Sequence, residues 1–292
     1  MYVKRSIALS LEDNLENDLI LIVVGARQVG KTTLLKQVYS EIKEKEQAYF
    51  INLENPEFLK LTNQHPDNIF KITNSIASEK QYVFIDEIQY LDNPTNFLKY
   101  IFDEYKGKVK LIVSGSSSFY LDKKFRDSLM GRKRVFYLFQ FDFREFLESK
   151  NEEDLIKEFE RSGNFSLINK KRIEQCFSEY ITYGGYPAVV LGESYKLKEL
   201  LLSEIAYDFI KKDIYEANIH EQDKYYSILK IIANQVGQLL NSGEIANKLN
   251  ISFNTVEKYL YVMQKSFQIS LIDLSECTFY FLGLLEGYFQ FF

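Results

Sequence analysis

Residues Asp18 to Leu35 read DLILIVVGARQVGKTTLL, an apolar run that breaks into a glycine-bounded turn and then into a helical pattern. Leu19 to Val24 has the continuous apolar character of a buried strand, and the residues from Thr33 onward predict a helix running to about Lys45. Between them the spacing Gly25-x4-Gly30-Lys31-Thr32 fits a phosphate-binding loop. Glycines at both ends let the backbone turn tightly, so that N–H groups of Gly25, Ala26, Arg27, Gln28, Val29, Gly30, Lys31, Thr32 and Thr33 can converge on phosphate oxygens at the positive end of a helix. Lys31 then reaches the terminal phosphates, and the Thr32 hydroxyl is placed to ligate Mg²⁺. An ordinary strand-turn-helix explains the two glycines but not the Lys-Thr pair.

The strand pattern continues through residue 139. Ala48 to Leu53 is an apolar segment stopped at Asn55-Pro56, and Tyr82 to Ile85, Val109 to Val113 and Val135 to Phe139 follow. Helical spacing fills the intervals: Glu57 to Gln64, Asp67 to Ser78, Pro94 to about Tyr105, and a mixed-charge stretch around Phe119 to Leu129. Residues 1 to 18 read as a short leader packed on this region. Strands alternating with helices predict an α/β fold, a parallel sheet with right-handed crossovers and helices on both faces. Beyond Phe141 helical periodicity dominates. The expected organisation is an α/β domain over 1–141, a helical domain over 142–240 interrupted at Gly184-Gly185-Tyr186-Pro187, and a winged-helix-like module with an aromatic tail over 241–292.

The second chemical element is Tyr82-Val83-Phe84-Ile85-Asp86-Glu87, two acids ending an apolar strand. In a parallel sheet that end faces the same edge as the glycine loop, so Asp86 can approach a metal held by Thr32. Glu87 is then placed to polarise a water as general base. Two consecutive acids there are costly without a cation, which favours this reading over a solvated loop carboxylate. Ser114, at the end of the next strand, could hydrogen-bond a terminal phosphate or the attacking water, with Ser116 as second candidate; both also suit a plain turn. Asn52 is a weaker candidate for restraining Glu87. The basic run Lys123, Lys124, Arg126, Arg132, Lys133, Arg134 reads either as solvated charge or as a source of an arginine finger in Arg132 or Arg134, since neither arginine has an acid beside it in sequence.

Composition narrows the classes. The chain has 292 residues, 46% of them hydrophobic, with net charge −5, so no global basic field recruits nucleic acid. Two cysteines and two histidines without ligand spacing argue against a zinc site and a disulfide framework. No stretch supplies the roughly 18 apolar residues of a membrane span, and a reducing cytoplasm is the expected compartment. Ser242 to Phe267 predicts a helix-turn-helix, but its second helix sets Lys258 and Lys265 against Glu257, a poor basic surface for DNA. After Lys265 there is no Lys or Arg, while aromatic residues accumulate through Phe289, Phe291 and Phe292, a tail expected to promote self-association.

With Gly25 to Thr33 as GARQVGKTT, Val83 to Gln89 as VFIDEIQ and Leu111 to Ser118 as LIVSGSSS, the chain resembles an AAA-type P-loop ATPase family. These are bacterial and archaeal ATP-binding proteins that join an AAA module to a C-terminal domain of unknown function. Gly131-Arg132, Phe143-Arg144-Glu145-Phe146-Leu147 and Gly184-Gly185-Tyr186-Pro187 extend the likeness. The resemblance implies binding of ATP with Mg²⁺ and its hydrolysis, Lys31 and Thr32 taking the Walker A role, Asp86 and Glu87 the Walker B role, and Ser114 the sensor role. Two features depart from the family: Gln140-Phe141-Asp142 replaces a proline-containing turn, and members usually continue past the helix-turn-helix into a further α/β region, so either a shortened member or an altered end is expected. A GTPase is disfavoured because no Asn-Lys-x-Asp signature occurs, and a superfamily helicase because no second α/β domain follows residue 141. The leading expectation is a Mg-ATP hydrolase, a possible homo-oligomer, whose nucleotide state moves its helical part. The alternative is a nucleotide-gated binding or regulatory module, DNA-associated or not, that barely hydrolyses ATP.

Overall fold

The computed structural model describes residues 3–115, 129–161, 166–217 and 219–272. The helix expected around Phe119 to Leu129 falls almost wholly outside these residues, and Ser116, Lys123, Lys124, Arg126 and the aromatic tail from 273 onward lie outside them. The chain divides into two compact units, one reaching Leu202 and the other beginning at Ser203. This division falls later than the change of periodicity after Phe141, because the first helices beyond that residue share a buried core with Val3 of the N-terminal segment.

Five parallel strands form the sheet of the first unit: β1 (Ile20–Val24), β2 (Ala48–Asn52), β3 (Gln81–Asp86), β4 (Val109–Gly115) and β5 (Lys133–Tyr137), in the order β2-β3-β4-β1-β5. Burial explains the sequence pattern. β1, β3 and β4 are interior strands buried at every position, whereas the edge strands β2 and β5 are only partly buried. The register pairs Val24 with both Gly115 and Tyr137, and Asn52 with Asp86, so the C-terminal ends of all five strands share one edge. β5 begins two residues earlier than expected, and Phe139 lies beyond it, exposed.

Around the sheet lie α1 (Ser6–Glu12), α2 (Lys31–Lys43), α3 (Pro56–Gln64), α4 (Asn68–Thr73) and α5 (Pro94–Glu104). Asn55 and Asn93 each cap a helix that opens on proline, so the Asn-Pro that ends β2 also starts α3. α4 is shorter than the expected Asp67 to Ser78. Asn74 takes a left-handed conformation with φ 51° and ends the helix, leaving Ile76 exposed while Ile69 is fully buried.

The same unit continues through α6 (Phe143–Ser149), α7 (Glu153–Arg161), α8 (Leu167–Tyr183), α9 (Pro187–Val190) and the start of α10 (Tyr195–Glu216). Phe141, Phe143, Phe146, Leu147, Leu155, Ile173 and Val190 bury a common core with Val3 of the N-terminal segment. Gln140-Phe141-Asp142, which departs from a proline turn, has its own anchorage: Phe141 N–H donates to the Gly185 carbonyl at 2.7 Å, and Tyr180 Oη donates to the Phe141 carbonyl at 2.8 Å. A Cβ on Gly185 would stand 2.2 Å from the Phe141 carbonyl oxygen. That approach accounts for the second glycine of the Gly184-Gly185-Tyr186-Pro187 turn.

The second unit holds α11 (Gln222–Ala233), α12 (Ser242–Leu249) and α13 (Phe253–Lys265). Asn241 and Ser252 cap α12 and α13, and Asn250, left-handed at φ 52°, makes the turn between them. This is the expected helix-turn-helix; the described residues as far as 272 add no strand to it. Tyr225 of α11, fully buried, packs its ring 5.5 Å from that of Tyr259. No helix among the described residues is long and apolar enough to cross a membrane.

Replacing Gly185 by Ala is expected to lower stability by about 2 kcal/mol or more, since backbone rather than a flexible side chain must move. Urea unfolding measures it; an unchanged midpoint would mean that the Phe141–Gly185 contact is loose.

Candidate functional site

The site forms where β1, β3 and β4 end. The turn after β1 carries two left-handed residues, Gln28 at φ 60° and Gly30 at φ 97°. Gly30 meets the expected need for glycine. Gly25 has a different reason: a Cβ there would lie 2.1 Å from the carbonyl oxygen of Leu138, whose N–H donates to the Val24 carbonyl at 2.7 Å. Close passage of the chain leaving β5 therefore requires that glycine. Ala26 and Val29 are buried, Arg27 is half-buried, and Gln28 and Thr33 are exposed.

α2 starts at Lys31 with no side chain capping its first turn, unlike α3, α5 and α6. Its leading N–H groups can thus serve an anion. Lys31 is buried at 5% exposure, and its Nζ donates to the loop carbonyls of Gly25 at 3.2 Å and Ala26 at 2.6 Å. Burial lowers its pKa to about 8, opposed by the charge of Glu87, reinforced by Arg27, and opposed again by Asp86. A desolvated ammonium folded onto carbonyls at an uncapped helix end fits a terminal phosphate.

Asp86 joins three elements. Its Oδ2 accepts from Thr32 Oγ1 at 2.7 Å, although β4 separates β3 from β1, and its Oδ1 accepts from Ser114 Oγ of β4. Both donors are neutral hydroxyls, and the carboxylate is 1% exposed. Hydroxyl and carboxylate oxygens are the hard ligands that Mg²⁺ takes beside phosphate. Among the described residues no group of three or more His, Cys, Asp or Glu could hold a metal ion.

Glu87 follows at φ 61°, a left-handed conformation that turns the chain into a short 3-10 helix, Ile88–Tyr90. Its N–H donates to Ser114 Oγ at 3.1 Å, and its Oε2 accepts from Gln89 Nε2. The side chain restraining Glu87 is therefore Gln89. Asn52, weighed for that task, instead accepts the Glu54 N–H at 2.8 Å in a turn.

Arg132 is not at this edge. Its carbonyl accepts from Ile20 N–H at the start of β1, and its Nε donates to Asp103 Oδ1 at 2.8 Å. The pairing acid absent from its sequence neighbourhood comes from α5. Arg134 is bonded to the side chain of Asn14.

Three contributors escape a sequence reading. Arg5, in the segment read as a leader, is 6% exposed and donates from NH1 to the Val29 carbonyl at 2.8 Å and from Nε to Glu145 Oε2 at 3.1 Å. Glu145 also closes a capping box with Asp142 at the start of α6, and Asp142-x-x-Glu145 is the signal that could have exposed it. Third, a cavity of about 220 Å³ opens beside the loop, walled by Val29, Gly30, Leu34, Phe141, Pro187 and Leu191 among others.

The parallel sheet, the glycine turn and α2 define a P-loop NTPase-like fold. Residues 17–147 match the model of an AAA domain, and residues 174–277 that of a domain of unknown function (DUF8612). The chain thus joins an AAA domain to a C-terminal domain of unknown function, the arrangement its sequence resembles. It is 27% identical over 266 residues to an uncharacterized protein of Haemophilus influenzae, covering 86% of this chain and 62% of that one. It is 28% identical over 261 residues to the uncharacterized protein MJ1544 of Methanocaldococcus jannaschii, covering 87% and 56%. The chain thus spans between about half and two thirds of the length of these relatives. Among solved structures, the Aeropyrum pernix ORC2 protein in its ADP form aligns over 90% of this chain and 85% of that one, at 15% identity and a TM-score of 0.45. AMPPCP-bound DnaA from Aquifex aeolicus aligns over 90% and 87%, at 15% identity and 0.39.

The depressed pKa of Lys31 has a stability consequence. Between pH 8 and about 10.5 the unfolded chain binds the proton that the folded chain has lost, so stability rises with pH across that window. Relative to a Lys31→Met variant, the parent should gain about 3 kcal/mol between about pH 7 and 10.5, because each tenfold loss of proton affinity on folding is worth about 1.4 kcal/mol. Urea unfolding of both proteins checks this; a difference independent of pH would place Lys31 in contact with solvent.

Proposed function

We propose that this chain binds ATP with Mg²⁺ at the Gly25–Thr33 loop, hydrolyses it, and passes its nucleotide state to the helices that follow the sheet. The observation that carries the reading is Asp86: a buried carboxylate hydrogen-bonded to Thr32 of the loop and to Ser114 of the neighbouring strand, below an uncapped helix end that holds a buried lysine.

When bound, ATP supplies the phosphoanhydride to be cleaved and Mg²⁺ the charge that neutralises its oxygens. Lys31 exchanges the Gly25 and Ala26 carbonyls for the terminal phosphates, which favour its charged form. Thr32 and Asp86 hold the cation from the protein side. Ser114, bonded to Asp86 and to the Glu87 amide, sets the distance between metal-side and base-side carboxylates. Glu87 orients the attacking water and accepts its proton, giving ADP and phosphate. The cavity walled by Val29, Leu34, Phe141, Pro187 and Leu191 receives the base, so one ligand touches both the loop and the helical part.

The second reading is a switch that turns over slowly. Its support is the Gln89–Glu87 bond, which describes a resting base. As an arginine finger supplied to a second copy, Arg132 would have to leave Asp103; the pair is about one-third exposed on each side and so is worth at most about 1 kcal/mol. DNA contact through α13 has little charge to draw on, Glu257 standing beside Lys258.

Lys31→Ala should abolish ATP binding in calorimetry while leaving the protein folded; unchanged affinity would remove the loop from the account. Glu87→Gln should keep affinity and slow phosphate release on the order of a hundredfold, because an amide cannot take the proton. Parent turnover measured with and without DNA separates hydrolase, DNA-stimulated motor and switch. If Glu87→Gln turns over at the parent rate, the base is another group.

A further inference from the structure

We infer that Arg5 and Glu145 form a positioning pair that couples the phosphate loop to the first helix beyond the sheet; this rests on the nucleotide site proposed above. Arg5 spends its donors on separate pieces of backbone. NH1 holds the Val29 carbonyl at 2.8 Å, one residue before Gly30. NH2 holds the carbonyls of Phe139 at 2.7 Å and Gln140 at 3.3 Å, in the segment leaving β5. Nε pairs with Glu145 Oε2 at 3.1 Å, and the guanidinium lies 4.9 Å from the centre of the Phe141 ring.

Glu145 is equally committed. At 1% exposure its Oε1 accepts Ser6 N–H at 2.8 Å and Ser6 Oγ at 3.0 Å, while Oε2 also accepts Asp142 N–H at 3.2 Å. The chain from Phe139 to Glu145 is thus tied to the loop through one planar cation. Phe141 carries the tie onward, since its N–H and carbonyl engage Gly185 and Tyr180, the former two residues from Pro187 of the cavity wall. A guanidinium is rigid and planar, so a shift of the Val29 carbonyl on nucleotide binding is felt at Glu145 and not absorbed by a flexible stem. A lysine gathers its three donors on one nitrogen, whereas the guanidinium sets NH1, NH2 and Nε against separate partners.

Two variants separate coupling from simple support. In Glu145→Gln, Oε1 still accepts from Ser6, but the amide NH₂ now faces the Arg5 and Asp142 donors, which releases α6 and leaves the Arg5–Val29 bond in place. In Arg5→Lys, the pairing with Glu145 survives as a point charge and the fork to the loop is lost. Backbone hydrogen exchange is measured with and without ATP and Mg²⁺, alongside ATP affinity by calorimetry. In the parent, nucleotide should slow exchange both at residues 25–31 and at 141–147. Both variants should keep the first effect and lose the second, with affinity within about threefold of the parent for Glu145→Gln and about tenfold weaker for Arg5→Lys. Parent protein that binds ATP without any change at 141–147, or a Glu145→Gln protein whose 141–147 segment responds as the parent does, overturns the coupling. Failure of the parent to bind ATP appears in the calorimetry alone and overturns the nucleotide site itself, and the coupling with it.

Discussion

A carboxylate buried among neutral hydroxyls is the constraint on which the site depends. Removing Asp86 from water is costly, and the hydroxyls of Thr32 and Ser114 offset only part of that cost. The remainder is a demand for positive charge at the sheet edge. Lys31 answers it from nearby at its own expense, its ammonium desolvated until its pKa falls to about 8. On the function proposed above, this buried anion and buried, weakened cation would together accept a ligand carrying both charges, as a metal phosphate does.

Geometry around that constraint is set by strand order. With β4 inserted between β1 and β3, Thr32 must reach across a strand end to meet Asp86, and Ser114 occupies the gap. The three hydroxyl and carboxylate groups therefore come from three different elements, α2, β3 and β4. On the other side of β1, β5 brings Leu138 so close that residue 25 can only be glycine. From there the chain runs directly to the Arg5–Glu145 pair, so loop, β5 exit and α6 share one buried network.

Local signals were legible in the sequence, and long-range partnerships were not. The buried parallel strands showed as continuous apolar runs, their ends as Asp86 and Ser114, and the loop as a glycine-lysine-threonine spacing. Strand order was hidden because pairing between distant segments leaves no periodicity in either. Arg5 and Glu145, 140 residues apart, each looked like an ordinary charge. The pairing of Arg132 with Asp103 was invisible for the same reason, and so was the choice of Gln89 over Asn52 as the partner of Glu87. α4 was overestimated because hydrophobic spacing from Ile69 to Ile76 ran through Asn74, whose left-handed turn outranks the pattern.

The most direct test of the account is the Mg²⁺ dependence of ATP affinity in the parent and in Asp86→Asn, a variant whose amide oxygen still accepts from Thr32. If Asp86 holds the cation, Mg²⁺ should strengthen ATP binding by the parent about tenfold or more and leave the variant nearly unchanged, a coupling of at least about 1.4 kcal/mol. An equal Mg²⁺ increment in both proteins would contradict it, showing that the buried carboxylate braces the strand ends and takes no part in nucleotide binding.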